Sequence, residues 1–257
     1  MKVERNTFTQ GLRSNQKQIG LWASLCSNYA AEVIAPSGYD WVLLDMEHSP
    51  NSIDGVLGQL EVFASSKTTA IVRPPWNDSV IVKRLLDIGA PGLLFPMIQT
   101  VDEAEQAVAS TRYPPRGIRG VSGATRANAF GRMTDYFSRI EDETSVLIQL
   151  ETRTALADAL NIASVDGVSG VFFGPADIAA DIGQLGKPLC DEVWDLVMPV
   201  ARQLMENGIP VGTLVMDVEF AAKLLNEGFS FVACGSDVGL LAKSADSLLA
   251  NVKQRVE

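Results

Sequence analysis

The stretch Trp41-Val-Leu-Leu-Asp-Met-Glu-His-Ser-Pro50 gathers the residues best suited to moving a proton. Four mostly aliphatic residues read as a buried strand, and Asp45, Glu47 and His48 follow directly, ahead of the turn residues Ser49 and Pro50. His48 is the only histidine in 257 residues, so any imidazole chemistry in this chain happens there. The same succession of apolar run and polar terminus recurs. Residues 69–72 end in Arg73, residues 146–150 carry Gln149 and end in Glu151, and residues 170–173 run into Gly174-Pro-Ala-Asp177. Gln149 and Glu151 are two apart, so an extended strand points both to one side. If Glu151 and Asp177 end adjacent strands, two carboxylates are close enough to share a cation. With no second histidine and no clustered cysteines, all-oxygen ligation remains, which suits Mg²⁺ or Mn²⁺ completed by water and substrate better than zinc. The competing reading makes these acids solvated loop residues or partners of arginines.

Gly174-Pro175 adds a second device. Glycine lets a ligand approach the backbone, and proline suits a first helical turn, leaving the N–H groups of Ala176 and Asp177 free to hold a carboxylate. The lysines, at 2, 17, 67, 83, 187, 223, 243 and 253, follow no apolar run, which argues against a Schiff-base enzyme. No phosphate-cradling glycine motif follows a strand, so a nucleotide cofactor is not expected. Cys234 ends the last apolar run and reads as a structural thiol rather than a nucleophile. From 112 to 132 there are five arginines (112, 116, 119, 126, 132) and no acid. Such a basic connector on a catalytic face would meet an anionic substrate; it would equally serve a subunit contact.

Eight apolar runs position these residues: 19–23, 41–44, 69–72, 92–96, 146–150, 170–173, 211–215 and 231–233. Helical patterns fall between them at 7–14, 29–35, 52–65, 78–88, 101–111, 152–162, 191–207, 217–226 and 237–256, with Gly38, Gly89, Gly208 and Gly228 placed as helix stops. Eight strand–helix units without a composition break predict one (β/α)8 barrel over residues 1–257, with a doubly wound open sheet as the alternative. Lys plus Arg is 21 and Asp plus Glu is 31, a net charge of −10 that argues against nucleic-acid and anionic-membrane partners. Three scattered cysteines, no apolar leader and no membrane span point to a cytoplasmic protein.

Five motifs, Asp45-Met-Glu-His48, Arg73-Pro-Pro-Trp-Asn77, Pro115-Arg-Gly-Ile-Arg-Gly120, Gln149-Leu-Glu-Thr152 and Phe173-Gly-Pro-Ala-Asp-Ile178, together resemble the HpcH/HpaI family of metal-dependent pyruvate aldolases nearly end to end. The resemblance implies a (β/α)8 barrel, usually a hexamer built as a trimer of dimers that exchange the last helix. It implies that Glu151 and Asp177 bind a divalent metal, Mg²⁺ or Mn²⁺ with Co²⁺ also suitable. Gln149 and the backbone at Ala176 and Asp177 would hold pyruvate. His48 would be the acid/base, its basicity raised by Asp87, with Arg73 stabilising the enolate and Asp45 supporting the His48 site. Glu47 matches the motif without an assigned role beyond orienting Arg73 or His48, and the basic connector can lie against a neighbouring subunit's active site. The activity implied is class II aldol addition of pyruvate or hydroxypyruvate to an aldehyde, the acceptor being set by pocket shape near Trp22, Leu214 and the connector. Two alternatives are a coenzyme A thioester lyase of the related citrate-lyase branch and a non-catalytic oligomer that binds oxo acids.

Overall fold

Eight parallel strands close on themselves in sequence order, each hydrogen-bonded to the next and the eighth to the first. The structure, a computed structural model, describes residues 1–256. Helix α1 (Thr7–Arg13) precedes β1 (Gln18–Ala23), α2 (Asn28–Ile34), β2 (Trp41–Asp45), α3 (Ile53–Phe63), β3 (Thr69–Arg73), α4 (Ser79–Asp87), β4 (Gly92–Phe95) and α5 (Val101–Thr111). The second half comprises α6 (Tyr136–Glu143), β5 (Ser145–Leu150), α7 (Arg153–Ala157), α8 (Ala159–Ala163), β6 (Gly170–Phe173), α9 (Pro175–Asp181), α10 (Asp191–Glu206), β7 (Val211–Leu214), α11 (Val218–Asn226), β8 (Phe231–Ser236) and α12 (Asp237–Val256). This is the (β/α)8 barrel that the pattern predicts, and the open sheet is excluded by the β1–β8 pairing.

Strand alternation sorts each strand's residues into two cores. Val42, Leu44, Val72, Ile148 and Val171 point outward into the layer between strands and helices. Trp41, Leu43, Ile71, Leu147, Phe172 and Phe231 point inward and fill the barrel, with Phe8 and Leu12 of α1 packed onto the same cluster from below. The inward series continues upward along each strand: Trp41, Leu43, then Asp45; Ile71, then Arg73; Leu147, Gln149, then Glu151. The period of two therefore delivers the polar side chains to the barrel mouth, standing on a packed apolar floor.

The helices start on side-chain caps. Ser52, Asp78, Thr152 and Asp217 each accept from a backbone N–H of the first turn, and Thr100 with Glu103 forms a capping box. Gly89 (φ 94°) and Gly228 (φ 110°) end α4 and α11 in the left-handed conformation expected of helix stops.

Four features differ from the sequence reading. The single helix expected over 152–162 is two short helices that meet at Asp158. Strand β8 runs on to Ser236, three residues past the apolar run. A helix absent from the reading, α6, covers Tyr-Phe-Ser-Arg-Ile-Glu-Asp-Glu; it has only eight residues and two anchors at i and i+4, Tyr136 and Ile140, too few for a periodic signal. The arginine connector is not on the catalytic face. Helices run antiparallel to the strands, so the link from α5 to β5 returns to the strands' N-terminal ends, and Thr134 N donates there to Met1 O.

Candidate active site

Asp45 and Arg73 are register partners on β2 and β3. Their side chains meet at the mouth in a bidentate pair, Nε to Oδ1 at 2.9 Å and Nη2 to Oδ2 at 2.8 Å. Both are buried, at 2% and 5% exposure. Arg73 Nη1 lies 2.7 Å from Glu47 Oε2, an ion pair whose N–H is not aligned on that oxygen, so Oε2 has charge compensation without a hydrogen bond. Trp22 completes the cage: its ring covers the guanidinium at 4.9 Å and its Nε1 donates to Asp45 Oδ2 at 3.2 Å. Burial alone would raise the Asp45 carboxyl, but the hydrogen bonds and charge of Arg73 hold it below its ordinary range. Burial pushes the Glu47 carboxyl up, and the pull of Arg73 and His48 does not fully offset it.

Asp45 also shapes the turn that carries His48. Its Oδ1 accepts from the backbone N–H of Glu47 (3.0 Å) and of His48 (3.5 Å). The support expected of Asp45 is thus exerted on the backbone, while the imidazole itself stands two-thirds exposed, with Nε2 3.9 Å from Glu47 Oε1. Asp87 does not join it within the chain. It lies at the C-terminal end of α4, where its Oδ1 accepts from Arg119 Nη2 at 2.8 Å, at the far end of the barrel from the His48 turn.

Glu151 is 2% exposed and faces no cation among the described residues. Its Oε1 accepts from Gln149 Nε2 and its Oε2 from the backbone of Met97, both at 2.7 Å. Burial first, and then the neighbouring Asp177, push its carboxyl up to about 8, the Met97 bond pulling the other way. Gln149 Oε1 is buried without a donor. Gly174, beside Glu151, has to be glycine: a Cβ there would stand 2.8 Å from Glu151 Cγ and Oε1. Asp177 lies in the first turn of α9 behind Pro175, as expected, with Ala176 exposed.

The structure therefore gathers Asp45 and Glu47 round the one cation Arg73, and Gln149, Glu151 and Asp177 in a second cluster without a basic side chain. A divalent cation fits the second: two carboxylates close together, one of them buried and difficult to ionise alone, beside an amide oxygen with nothing to accept from. Among the described residues no third His, Cys, Asp or Glu joins them, so further ligands would be water and substrate. Two contributors were missed in the sequence. Met97 acts through its backbone in a left-handed conformation (φ 53°), for which Pro96-Met97 gives no signal; Trp22 was read only as a pocket wall. Cys234 is partly buried with its Sγ toward Gly20 O and its thiol raised by burial, in keeping with a structural role.

Fold and candidate site together describe a (β/α)8 barrel with acid side chains and one fixed guanidinium gathered at its strand C-termini. The chain belongs to the HpcH/HpaI aldolase/citrate lyase family, whose model matches residues 18–244. It is 47% identical over 250 residues to the pyruvate aldolase of Rhizobium etli, covering 97% of this chain and 98% of that protein. It is 45% identical over 246 residues to the 4-hydroxy-2-oxo-heptane-1,7-dioate aldolase of Escherichia coli, covering 95% and 94%. The crystal structure of a family protein from Burkholderia cenocepacia superposes with a TM-score of 0.93 at 36% identity, over 96% of this chain and 99% of that one.

Proposed function

We propose that the protein is a class II aldolase that reversibly joins pyruvate or a close 2-oxo acid to an aldehyde, giving a 4-hydroxy-2-oxo acid. The observation that carries this reading is the buried Glu151, paired with Asp177 and lacking a cation, at the same barrel mouth as the fixed Arg73. The aldolase names of the two relatives favour it over the coenzyme A lyase reading.

Glu151 and Asp177 would hold Mg²⁺ or Mn²⁺, which when bound supplies Lewis-acid stabilisation of charge developing on a 2-oxo acid. Gln149 and the N–H groups of Ala176 and Asp177 orient the substrate's carboxylate and keto group. Arg73, fixed by Asp45, Glu47 and Trp22, presents its remaining donors to the enolate without reorganising, an effect typically worth about 3 kcal/mol at such sites. His48, on its exposed turn, moves the proton of the aldehyde-derived hydroxyl. Asp87 can raise its basicity only as a residue of another copy, since in its own chain it is bound to Arg119 at the opposite end. An oligomer also suits α12. It is a twenty-residue helix on which only Asp237 is buried, with Leu241 61% and Leu248 68% exposed, so its apolar side needs a second copy to cover it. We read the assembly as a hexamer and its site of action as the cytoplasm. Among the described residues no helix is long and apolar enough to cross a membrane.

The test is an aldehyde panel with pyruvate and hydroxypyruvate under Mg²⁺ and Mn²⁺, alongside loss of the pyruvate methyl proton signal in deuterium oxide. Metal-dependent exchange without aldehyde, and carbon–carbon bond formation with it, are expected. Ligand binding with neither reaction would refute the reading. Light scattering that shows a fully active monomer would refute the assembly.

A further inference from the structure

The seam that closes the barrel, between β8 and β1, is irregular at its upper end. The register steps from Gly20↔Ala233 to Trp22↔Ser236, so two steps along β1 match three along β8. That shift sets Asp237, the first residue of α12, beside the backbone as it leaves β1. Its Oδ1 accepts from Ser24 N at 2.8 Å and its Oδ2 from Leu25 N at 3.1 Å, where the strand ladder has ended. Val238 N, on the same helix, also donates to Oδ1 at 2.7 Å. An acid in a first helical turn ordinarily stands in solvent and complements the helix dipole. Asp237 is instead 6% exposed, the one buried residue of α12, and it ties together segments 213 residues apart.

The turn that Asp237 grips is anchored along its length. Cys26 is left-handed (φ 53°) with its Sγ donating to Ser24 O at 3.3 Å, and Ser27 Oγ caps α2 by accepting from Ala30 N at 3.2 Å. Burial, then Asp237 and Asp45, push the Cys26 thiol up, so the turn lies within the field of both carboxylates. Two residues before Ser24 stands Trp22, whose ring covers Arg73 at 4.9 Å and whose Nε1 donates to Asp45 Oδ2 at 3.2 Å. The ring also leans on Phe172, with centroids 5.6 Å apart. Apolar contact is non-directional, so the ring's place over Arg73 is set by the backbone that carries it. We propose that Asp237 is a positioning residue for the aldol chemistry: it pins the exit of β1 and thereby holds the Trp22 indole over the Arg73 guanidinium. The inference rests on the role given to Arg73 in the proposed reaction. Asp237 touches no reacting atom; its effect reaches the enolate only through Trp22 and Arg73.

Asp237→Asn keeps the shape but turns an amide N–H₂ toward one of the two backbone donors. Pyruvate proton exchange by this variant of the full-length protein should fall about ten- to a hundredfold, in kcat. Mn²⁺ affinity should not change, because Glu151 and Asp177 are outside this chain of contacts. In protein labelled with fluorotryptophan, the Trp22 fluorine resonance, identified by its loss in Trp22→Phe, should shift. The double variant Trp22→Phe/Asp237→Asn should be no slower than Trp22→Phe alone, since both changes break one path. Unchanged thermal unfolding separates positioning from loss of fold. Asp237→Ser, which keeps one acceptor oxygen, carries the same test where Asp237→Asn does not fold. The resonance shift needs no turnover, so absence of exchange in the unaltered protein would count against the aldolase reading alone. Unchanged exchange in Asp237→Asn, an unmoved Trp22 resonance, or losses that multiply in the double variant would overturn the proposal.

Discussion

Asp45 and Glu151 are both carboxylates 2% exposed at the ends of inward-facing strand series, and their ionisation is opposite. Asp45 meets a guanidinium across its own register and stays charged below the ordinary range. Glu151 meets an amide, a backbone N–H and another carboxylate, and is pushed up to about 8. Burial is nearly equal, so the difference comes from the partner. A buried acid with a fixed cation is a finished structural unit, and Glu151 has no such partner among the described residues. The first cluster fixes Arg73.

The contrast can be broken from either side. The largest effect is expected from Glu151→Gln or Asp177→Asn, which should lower turnover by about a thousandfold or more through loss of the cation. Arg73→Lys keeps the charge but not the fork, and should lower kcat and pyruvate proton exchange by about a hundred- to a thousandfold. It should also destabilise the fold, since Asp45 and Glu47 lose their partner; full removal in Arg73→Ala would cost about 3–5 kcal/mol in chemical denaturation. Undiminished exchange in Arg73→Lys would show that the residue has been given the wrong role. Smaller still is Gly174→Ala, whose methyl group would push Glu151 aside and weaken metal affinity by roughly tenfold while leaving Asp45 and Arg73 untouched.

The pH dependence separates the clusters by sign. Glu151 in the folded metal-free protein holds its proton above the ordinary value of 4.5, up to about 8, while the unfolded chain has lost it. Its contribution to stability is therefore complete at low pH and declines as pH rises through that window. Asp45 behaves inversely: its contribution is present above the ordinary value of 3.8 and is lost as pH falls through its lowered folded value. Denaturant titrations of metal-free protein should show the first decline, and Glu151→Gln should abolish it.

Much of this was legible because strand periodicity is a strong signal. Asp45, Arg73, Gln149 and Glu151 continue inward series that begin with Trp41, Ile71 and Leu147, so the apolar runs fixed both the barrel and the side on which the polar residues emerge. What a single strand cannot encode is its neighbour. The Asp45–Arg73 pairing depends on register between strands, and the Met97 bond depends on a left-handed backbone with no glycine to announce it. Composition reports the connector's charge and not its direction; its position between a helix and the next strand assigns it to the N-terminal end, which leaves the subunit contact of the two readings. Asp87 is expected beside His48 only from the resemblance, and its own chain binds it to Arg119 instead.

If Glu151 is a metal ligand as proposed, a divalent cation takes the place of a proton there. Calorimetric titration of metal-free protein with Mn²⁺ near neutral pH, in buffers of different ionisation enthalpy, counts the protons released on binding. With Glu151 pushed up to about 8, release of about one proton per cation is expected, and none in any residual binding by Glu151→Gln. Tight binding without proton release, unchanged by that substitution, would rule Glu151 out as the ligand.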